Sequence, residues 1–156
     1  MKKAAVIAIL MATTGPVWAQ SEGAELAKLS YASTDANNDG VVSRDEMMEQ
    51  ASNIFVSMDS DDNGALSLDE YSSWDFGFSL IAEEAGRVQA YETALKFVFN
   101  MWDRDFDGAV TADEFRRGVA RDFARVDVNG DFALNEREFI GGFIVNVALR
   151  SALKVE

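Results

Sequence analysis

Oxygen-bearing side chains recur in this 156-residue chain at a spacing suited to one kind of chemistry. Asp35, Asn37, Asp39 and Gly40 are followed by Glu46; Asp59, Asp61, Asn63 and Gly64 by Glu70; Asp103, Asp105, Asp107 and Gly108 by Glu114. Each stretch satisfies D-x-[DN]-x-[DN]-G-x5-E in full. A fourth, Asp127, Asn129, Asp131 and Glu138, keeps the oxygens but has Phe132 where the others have glycine. A hard divalent cation of calcium's size takes six to eight oxygens. A twelve-residue loop supplies them from side chains at positions 1, 3 and 5, a carbonyl at 7, a residue or water at 9 and a bidentate Glu at 12. Position 7 is Val41, Ala65, Ala109 or Ala133, where only the carbonyl is needed. Position 9 is Ser43, Ser67, Thr111 or Asn135, short side chains able to hold a bridging water. Position 8 is Val42, Leu66, Val110 or Leu134, apolar in every copy, as expected where two loops join through a short two-strand contact.

The four windows hold 18 of the 27 Asp and Glu residues, so the acidity is local rather than spread over a solvated surface. With no Cys and no His, disulfide scaffolds, thiolate zinc sites, thiol or Ser-His nucleophiles and imidazole acid-base chemistry are excluded. A surplus of 27 acidic over 14 basic residues, net -13, repels nucleic acid and anionic lipid and attracts cations. Of the acids outside the windows only Glu83 and Glu84 adjoin, and adjacent residues on a helix do not face one another. No phosphate-cradling glycine loop or Ser-Lys pair supplies a reactive centre, so the expectation is a binding protein and not an enzyme. The hydrophobic fraction of 48% is enough for a packed core.

The elements that position the loops are readable from periodicity. Residues 47 to 58 place Met47, Ala51, Ile54, Phe55 and Met58 on one face, and residues 115 to 126 do the same with Phe115, Val119, Phe123 and Val126. Each stretch predicts one amphipathic helix shared by two successive loops, which therefore sit at its opposite ends and do not pair readily. Between the second and third loops, Tyr71, Trp74, Phe78 and Ile81 form one stripe and Tyr91, Leu95, Val98 and Trp102 another, with Gly86 between them. That predicts a helical hairpin or a long helix broken near Gly86. A hairpin would bring loop 2 to loop 3 and loop 1 to loop 4 in one nested domain; pairing of 1 with 2 and 3 with 4 is the alternative.

With these repeats the chain resembles the EF-hand superfamily over residues 22 to about 153. The resemblance implies an all-α fold of helix-loop-helix units that bind calcium, and ligands that carry over position by position. The first loop would use Asp35, Asn37, Asp39, Val41 through its carbonyl, Ser43 and Glu46, and the second Asp59, Asp61, Asn63, Ala65, Ser67 and Glu70. The third would use Asp103, Asp105, Asp107, Ala109, Thr111 and Glu114, and the fourth Asp127, Asn129, Asp131, Ala133, Asn135 and Glu138. Up to four calcium ions are implied, with the Asp127 to Glu138 site weakest because Phe132 stands at a sharp turn, and the third strongest because it has four acidic ligands. The 24-residue step from Asp35 to Asp59, and from Asp103 to Asp127, is similar to that of the lanmodulin family, periplasmic bacterial EF-hand proteins that bind lanthanides. Position 2 here is Ala36, Ser60, Arg104 or Val128, never that family's Pro, and position 9 carries no Asp. Lanthanide ions are therefore the alternative ligand, and calcium the expected one.

Residues 1 to 19 read as a signal peptide: Lys2 and Lys3, the apolar run Ala4 to Ala12, then Gly15, Pro16 and a small-residue cleavage site after Ala19. The run is too short for a membrane span, which needs about 20 residues. The expectation is a periplasmic or secreted protein, with loops 1 and 2 in residues 20 to 85 and loops 3 and 4 in residues 86 to 156. Met47, Met48, Met58 and Met101, with Trp74, Phe76 and Phe78, are expected in the core rather than on a surface for a target. On the last helix Phe139, Phe143 and Val147 lie beside Ile140, Ile144 and Ala148, a wide apolar face that covers the core or meets a protein partner or second copy. Arg116, Arg117, Arg121 and Arg125 are read as a solvated face and counter-charge to the nearby loops.

Overall fold

The computed structural model describes residues 15–154, with side chains from Glu22 onward. Helix α1 (Gly15–Thr34) leads into loop 1, which ends in strand β1 (Val42–Ser43) and helix α2 (Arg44–Met58). Loop 2 ends in β2 (Ala65–Ser67) and α3 (Leu68–Ser73), followed by α4 (Ser79–Glu84) and α5 (Val88–Trp102). Loop 3 ends in β3 (Ala109–Thr111) and α6 (Ala112–Val126), and loop 4 in β4 (Ala133–Leu134), α7 (Glu136–Gly142) and α8 (Ile144–Ala152). The larger part of the expected signal segment, residues 1–14, lies outside the described residues, and α1 runs across Ala19.

Helices follow the loops directly for a local reason. Ser43, Ser67, Thr111 and Asn135 are N-caps, each accepting a hydrogen bond from the backbone of the Glu three residues on while that Glu's carboxylate accepts from the cap's own N–H. This reciprocal capping box satisfies backbone donors that would otherwise lack partners. Positions 9 and 12 of each loop are thus also helix-start residues.

The loops pair in nested order. β1 pairs antiparallel with β4, Val42 opposite Leu134, and β2 with β3, Leu66 opposite Val110. All four of these position-8 side chains are fully buried. The hairpin that permits this order turns at Gly86, whose φ of +65° suits glycine, between α4 and α5. α2 packs along α6, so the two shared helices of the repeat lie against each other, and most of the stripes beginning at Met47 and Phe115 are buried.

One core runs through both halves. Tyr71 meets Phe99 and Trp102 with ring centroids 5.7 Å apart, Trp102 meets Phe115 at 4.7 Å, and Phe115 meets Phe55 at 5.6 Å, linking α3, α5, α6 and α2. All but the tilted Tyr71–Phe99 pair are edge-to-face, an arrangement that suits the aromatic quadrupole. At the other end Tyr31 of α1 meets Phe139 of α7 at 5.6 Å. Met47, Met58 and Phe78 are buried and Met48, Trp74 and Phe76 packed against the core, while Met101 is exposed.

Two expected helices are each broken in two. The stripe from Tyr71 to Ile81 is interrupted: α3 ends at Ser73, and the chain passes through Gly77 at φ +82° before α4 begins. The last helix breaks at Phe143, which has extended backbone (φ -61°, ψ 127°). Its wide apolar face is therefore not one surface. Phe139 on α7 and Val145, Leu149 and Leu153 on or after α8 are buried in the core from two directions. The break is held by Asp122 of α6, a buried carboxylate that accepts the Ile144 N–H at the start of α8, and by Arg125, which donates to the Gly142 carbonyl at 2.6 Å.

Candidate metal centres

In all four loops the Asp at position 1 turns the backbone back on itself. Asp35, Asp59, Asp103 and Asp127 accept the N–H of position 6, from Gly40 at 3.0 Å, Gly64 at 2.9 Å, Gly108 at 3.1 Å and Phe132 at 3.1 Å. The side chain at position 5 accepts from position 7: Asp39 from Val41, Asn63 from Ala65, Asp107 from Ala109 and Asp131 from Ala133. The Glu at position 12 closes the loop by reaching back to its beginning. Glu46 accepts from Asn37 N–H, Glu70 from Ser60, Glu114 from Arg104 and Glu138 from Val128.

These hydrogen bonds favour the charged carboxylates. Donation by the Ser67 backbone, the Ser67 hydroxyl and the Ser60 hydroxyl holds the Glu70 carboxyl at about 2, below its usual range. The Ser43 hydroxyl and backbone lower Glu46, and the Thr111 backbone and hydroxyl lower Glu114. A Glu held anionic and fixed at both ends of its loop is prepared to take a cation.

Positions 4 and 6 are left-handed in every loop. Position 4 has φ of 58° at Asn38, 55° at Asp62, 60° at Phe106 and 72° at Gly130. Position 6 has 87° at Gly40, 83° at Gly64, 89° at Gly108 and 65° at Phe132. Loop 4 thus exchanges the two residue types: glycine stands where the others tolerate a side chain, and Phe132 stands where they use glycine. No atom of the described residues lies within 4 Å of a Cβ built at Gly40, Gly64 or Gly108, so the demand at position 6 is torsional and not steric. At 65° Phe132 remains inside the narrow left-handed well open to L residues, at a cost of about 1–2 kcal/mol.

The two loop pairs differ at position 3. In loops 2 and 3 it is Asp, and Asp59, Asp61 and Glu70 bring one oxygen each within 4.8 Å of one another, as do Asp103, Asp105 and Glu114. In loops 1 and 4 it is Asn, whose amide donates to the Asp at position 5, Asn37 to Asp39 at 3.0 Å and Asn129 to Asp131 at 2.8 Å. The side chains at position 9 are engaged as caps, the Ser43, Ser67 and Thr111 hydroxyls and the Asn135 amide each donating to the Glu at position 12.

One oxygen stands apart. Asp103 is 4% exposed, its Oδ2 takes the Gly108 N–H, and its buried Oδ1 has no hydrogen-bond partner among the described residues. A buried carboxylate oxygen left bare costs free energy unless a cation or donor reaches it. The residues therefore fit a hard, oxygen-preferring cation. Sequence reasoning did not single out Asp122, or Tyr31, whose hydroxyl donates to the Gly40 carbonyl. The caps, which it also passed over, carry a local signal in Ser, Thr or Asn three residues before Glu, but Asp122 acts on a residue too distant in sequence to leave one.

Helix-loop-helix units joined two by two through short antiparallel strands, each loop lined with carboxylates, define a class of paired cation-binding loops. The family model described as EF hand matches residues 34–49 and 95–120, which contain loops 1 and 3, and supports an EF-hand superfamily calcium-binding protein. No curated protein and no solved structure matches the chain.

Proposed function

We propose that the chain binds calcium through all four loops, as two coupled pairs in a periplasmic or secreted protein that acts as buffer or sensor and orders on taking up metal. The observation that carries this reading is the bare, buried Oδ1 of Asp103 beside Asp105 and Glu114. The 24 named ligand positions supply the oxygens, and the cation supplies the charge that offsets their repulsion. Four divalent ions would bring the net charge from -13 to -5. Binding is thereby linked to stability of the folded state.

Loops 2 and 3 together hold seven carboxylates at positions 1, 3, 5 and 12, and loops 1 and 4 hold six. The pair formed by loops 2 and 3 fills first, with loop 4 weakest. Asn at position 3 in two loops and at position 5 in loop 2 favours calcium over trivalent lanthanides, which gain more from added carboxylates. The absence of an imidazole or thiol supports a binding protein over an enzyme. Burial of Phe139, Leu149 and Leu153 supports a core role for the C-terminal helices rather than a partner or homodimer surface. The residue 1 to 19 pattern supports export.

The test is a calorimetric calcium titration of the metal-free chain in physiological salt with millimolar magnesium. Two classes of site, saturating at three or four ions with affinity at or below about 1 mM, are expected. Absence of saturation in that range, with tight uptake of lanthanide ions instead, would overturn the calcium reading.

A further inference from the structure

Loop 4 presents apolar side chains to solvent where loops 1 and 2 present small or polar ones. Positions 2, 4 and 6 are Ala36, Asn38 and Gly40 in loop 1, but Val128, Gly130 and Phe132 in loop 4. Val128 is 84% exposed and Phe132 78% exposed. Phe132 gains little from burial and occupies a left-handed backbone conformation that glycine would take without strain. Neither packing nor backbone geometry accounts for a phenylalanine there.

Arginines stand nearby among fewer acids. Val128 lines a groove with Arg125, Arg137 and Glu138, and a second groove meeting it at Arg125 is lined by Arg104, Arg121 and Asp122. Arg125 pairs with Asp122, whereas Arg104, Arg121 and Arg137 form no ion pair among the described residues. Charge is also divided unevenly along the chain. Residues 22 to 102 carry four basic and sixteen acidic residues, net -12, while residues 103 to 153 carry seven arginines and ten acids, net -3. Two divalent ions in loops 3 and 4 would turn the second half to +1, so the repulsion of anionic lipid expected from the net charge of the whole chain arises from the first half, which stays strongly negative with or without metal.

We propose that the metal-loaded face of loop 4 and α6 docks onto an anionic phospholipid surface, with Val128 and Phe132 entering the headgroup layer and Arg121 and Arg137 at lipid phosphates. Aromatic and aliphatic side chains flanked by arginine suit the interface between headgroups and acyl chains. The two apolar side chains stand out from a loop instead of lining a pocket, and a deformable lipid layer needs no preformed complementary cavity. Metal is required because loop 4 without it brings its own carboxylates to the same surface. The proposal rests on the reading that loops 3 and 4 bind calcium.

The test is sedimentation of the full chain with vesicles of phosphatidylglycerol and phosphatidylethanolamine, and with phosphatidylcholine alone, in millimolar calcium or chelator. Binding is expected only to the anionic vesicles and only with calcium. It should fall about tenfold or more in the double variant Val128→Ser with Phe132→Gly, and about fivefold in each of Arg121→Gln and Arg137→Gln. The variants share the N-terminal segment with the parent, so differences between them report on this face. A calcium titration of the parent and the double variant accompanies the assay, because Phe132→Gly restores glycine at position 6 and leaves the ligands in place. Equal vesicle binding by parent and double variant, both with filled loops, overturns docking while the metal reading stands. Equal binding to phosphatidylcholine overturns it too. A parent with no calcium site in loop 4 removes the metal reading of that loop and the docking with it. Vesicle indifference with calcium-dependent capture of polyglutamate overturns it in favour of an acidic protein partner.

Discussion

Asp122 holds the corner between α7 and α8, and its replacement measures what that corner contributes. The carboxylate is 7% exposed; its Oδ2 accepts the Ile144 N–H at 2.5 Å and its Oδ1 accepts from the Arg125 guanidinium. Asp122→Ala removes a hydrogen bond to a charged group, worth about 1.5–3 kcal/mol, and leaves the first N–H of α8 without its acceptor in a partly buried position. Arg125 is 56% exposed and rehydrates, so its loss of a partner adds little. The expected loss is about 2–4 kcal/mol out of the 5–15 typical of a domain. Asp122→Asn retains an acceptor for Ile144 but not the charge, and should cost about 1–2 kcal/mol. Urea unfolding followed by tryptophan fluorescence in chelator reads both values free of metal linkage. An Asp122→Ala protein within about 0.5 kcal/mol of the parent, or an Asn variant no better than the Ala one, would refute the reasoning that this carboxylate sets the break.

The remaining expectations are narrower. A methyl added at Gly118 would lie 2.3 Å from Trp102 Cδ1 and 2.8 Å from its Nε1. Gly118→Ala should therefore destabilise by about 1–2 kcal/mol despite a helix-propensity gain of about 1, and weaken calcium at loop 3 because Trp102 adjoins Asp103. A variant as stable and as tight as the parent would contradict that contact. Asp103→Asn keeps an acceptor for Gly108 but replaces the bare anionic oxygen, so one calcium site should vanish from the calorimetric titration with no loss of metal-free stability; retention of the site would remove the role assigned to Asp103. All three tyrosines are raised from their usual value, Tyr91 by burial to about 12 and Tyr71 further by fuller burial, with Tyr31 raised by burial and by Asp35. The fold favours their neutral form, so this contribution is complete below the unfolded value near pH 10 and is lost as pH rises from there toward the folded values. Tyrosinate absorbance of the folded protein should fall short of a full three-tyrosine step near pH 10, and a full step there would count against the packing.

Sequence legibility followed the range of the interaction. The loops were readable because the spacing of Asp, Asn, Gly and Glu is fixed by a cation's coordination within twelve residues. α2 and α6 were readable because their stripes repeat at 3.6 residues, and the buried position-8 residues because two strands must exclude water where they meet. The cost of Phe132 was foreseeable from the missing glycine, but the exchange with Gly130 emerged only when both torsions were seen to be left-handed. Gly77, and Gly141 with Gly142, gave weak notice of the two helix breaks, since periodicity alone carries a stripe across a bend.

By itself the sequence determined the four acidic loops and the two shared helices, and narrowed the pairing to two orders. Tertiary structure decided that order, through the hairpin at Gly86 and the strand pairs Val42 with Leu134 and Leu66 with Val110. It also decided where the last helix ends, because the acceptor for Ile144 is a carboxylate on a different helix. A local pattern fixes what a residue can do within one turn or one loop. Which distant group satisfies a buried N–H, or stands opposite a strand, depends on contacts that exist only once the chain has closed on itself.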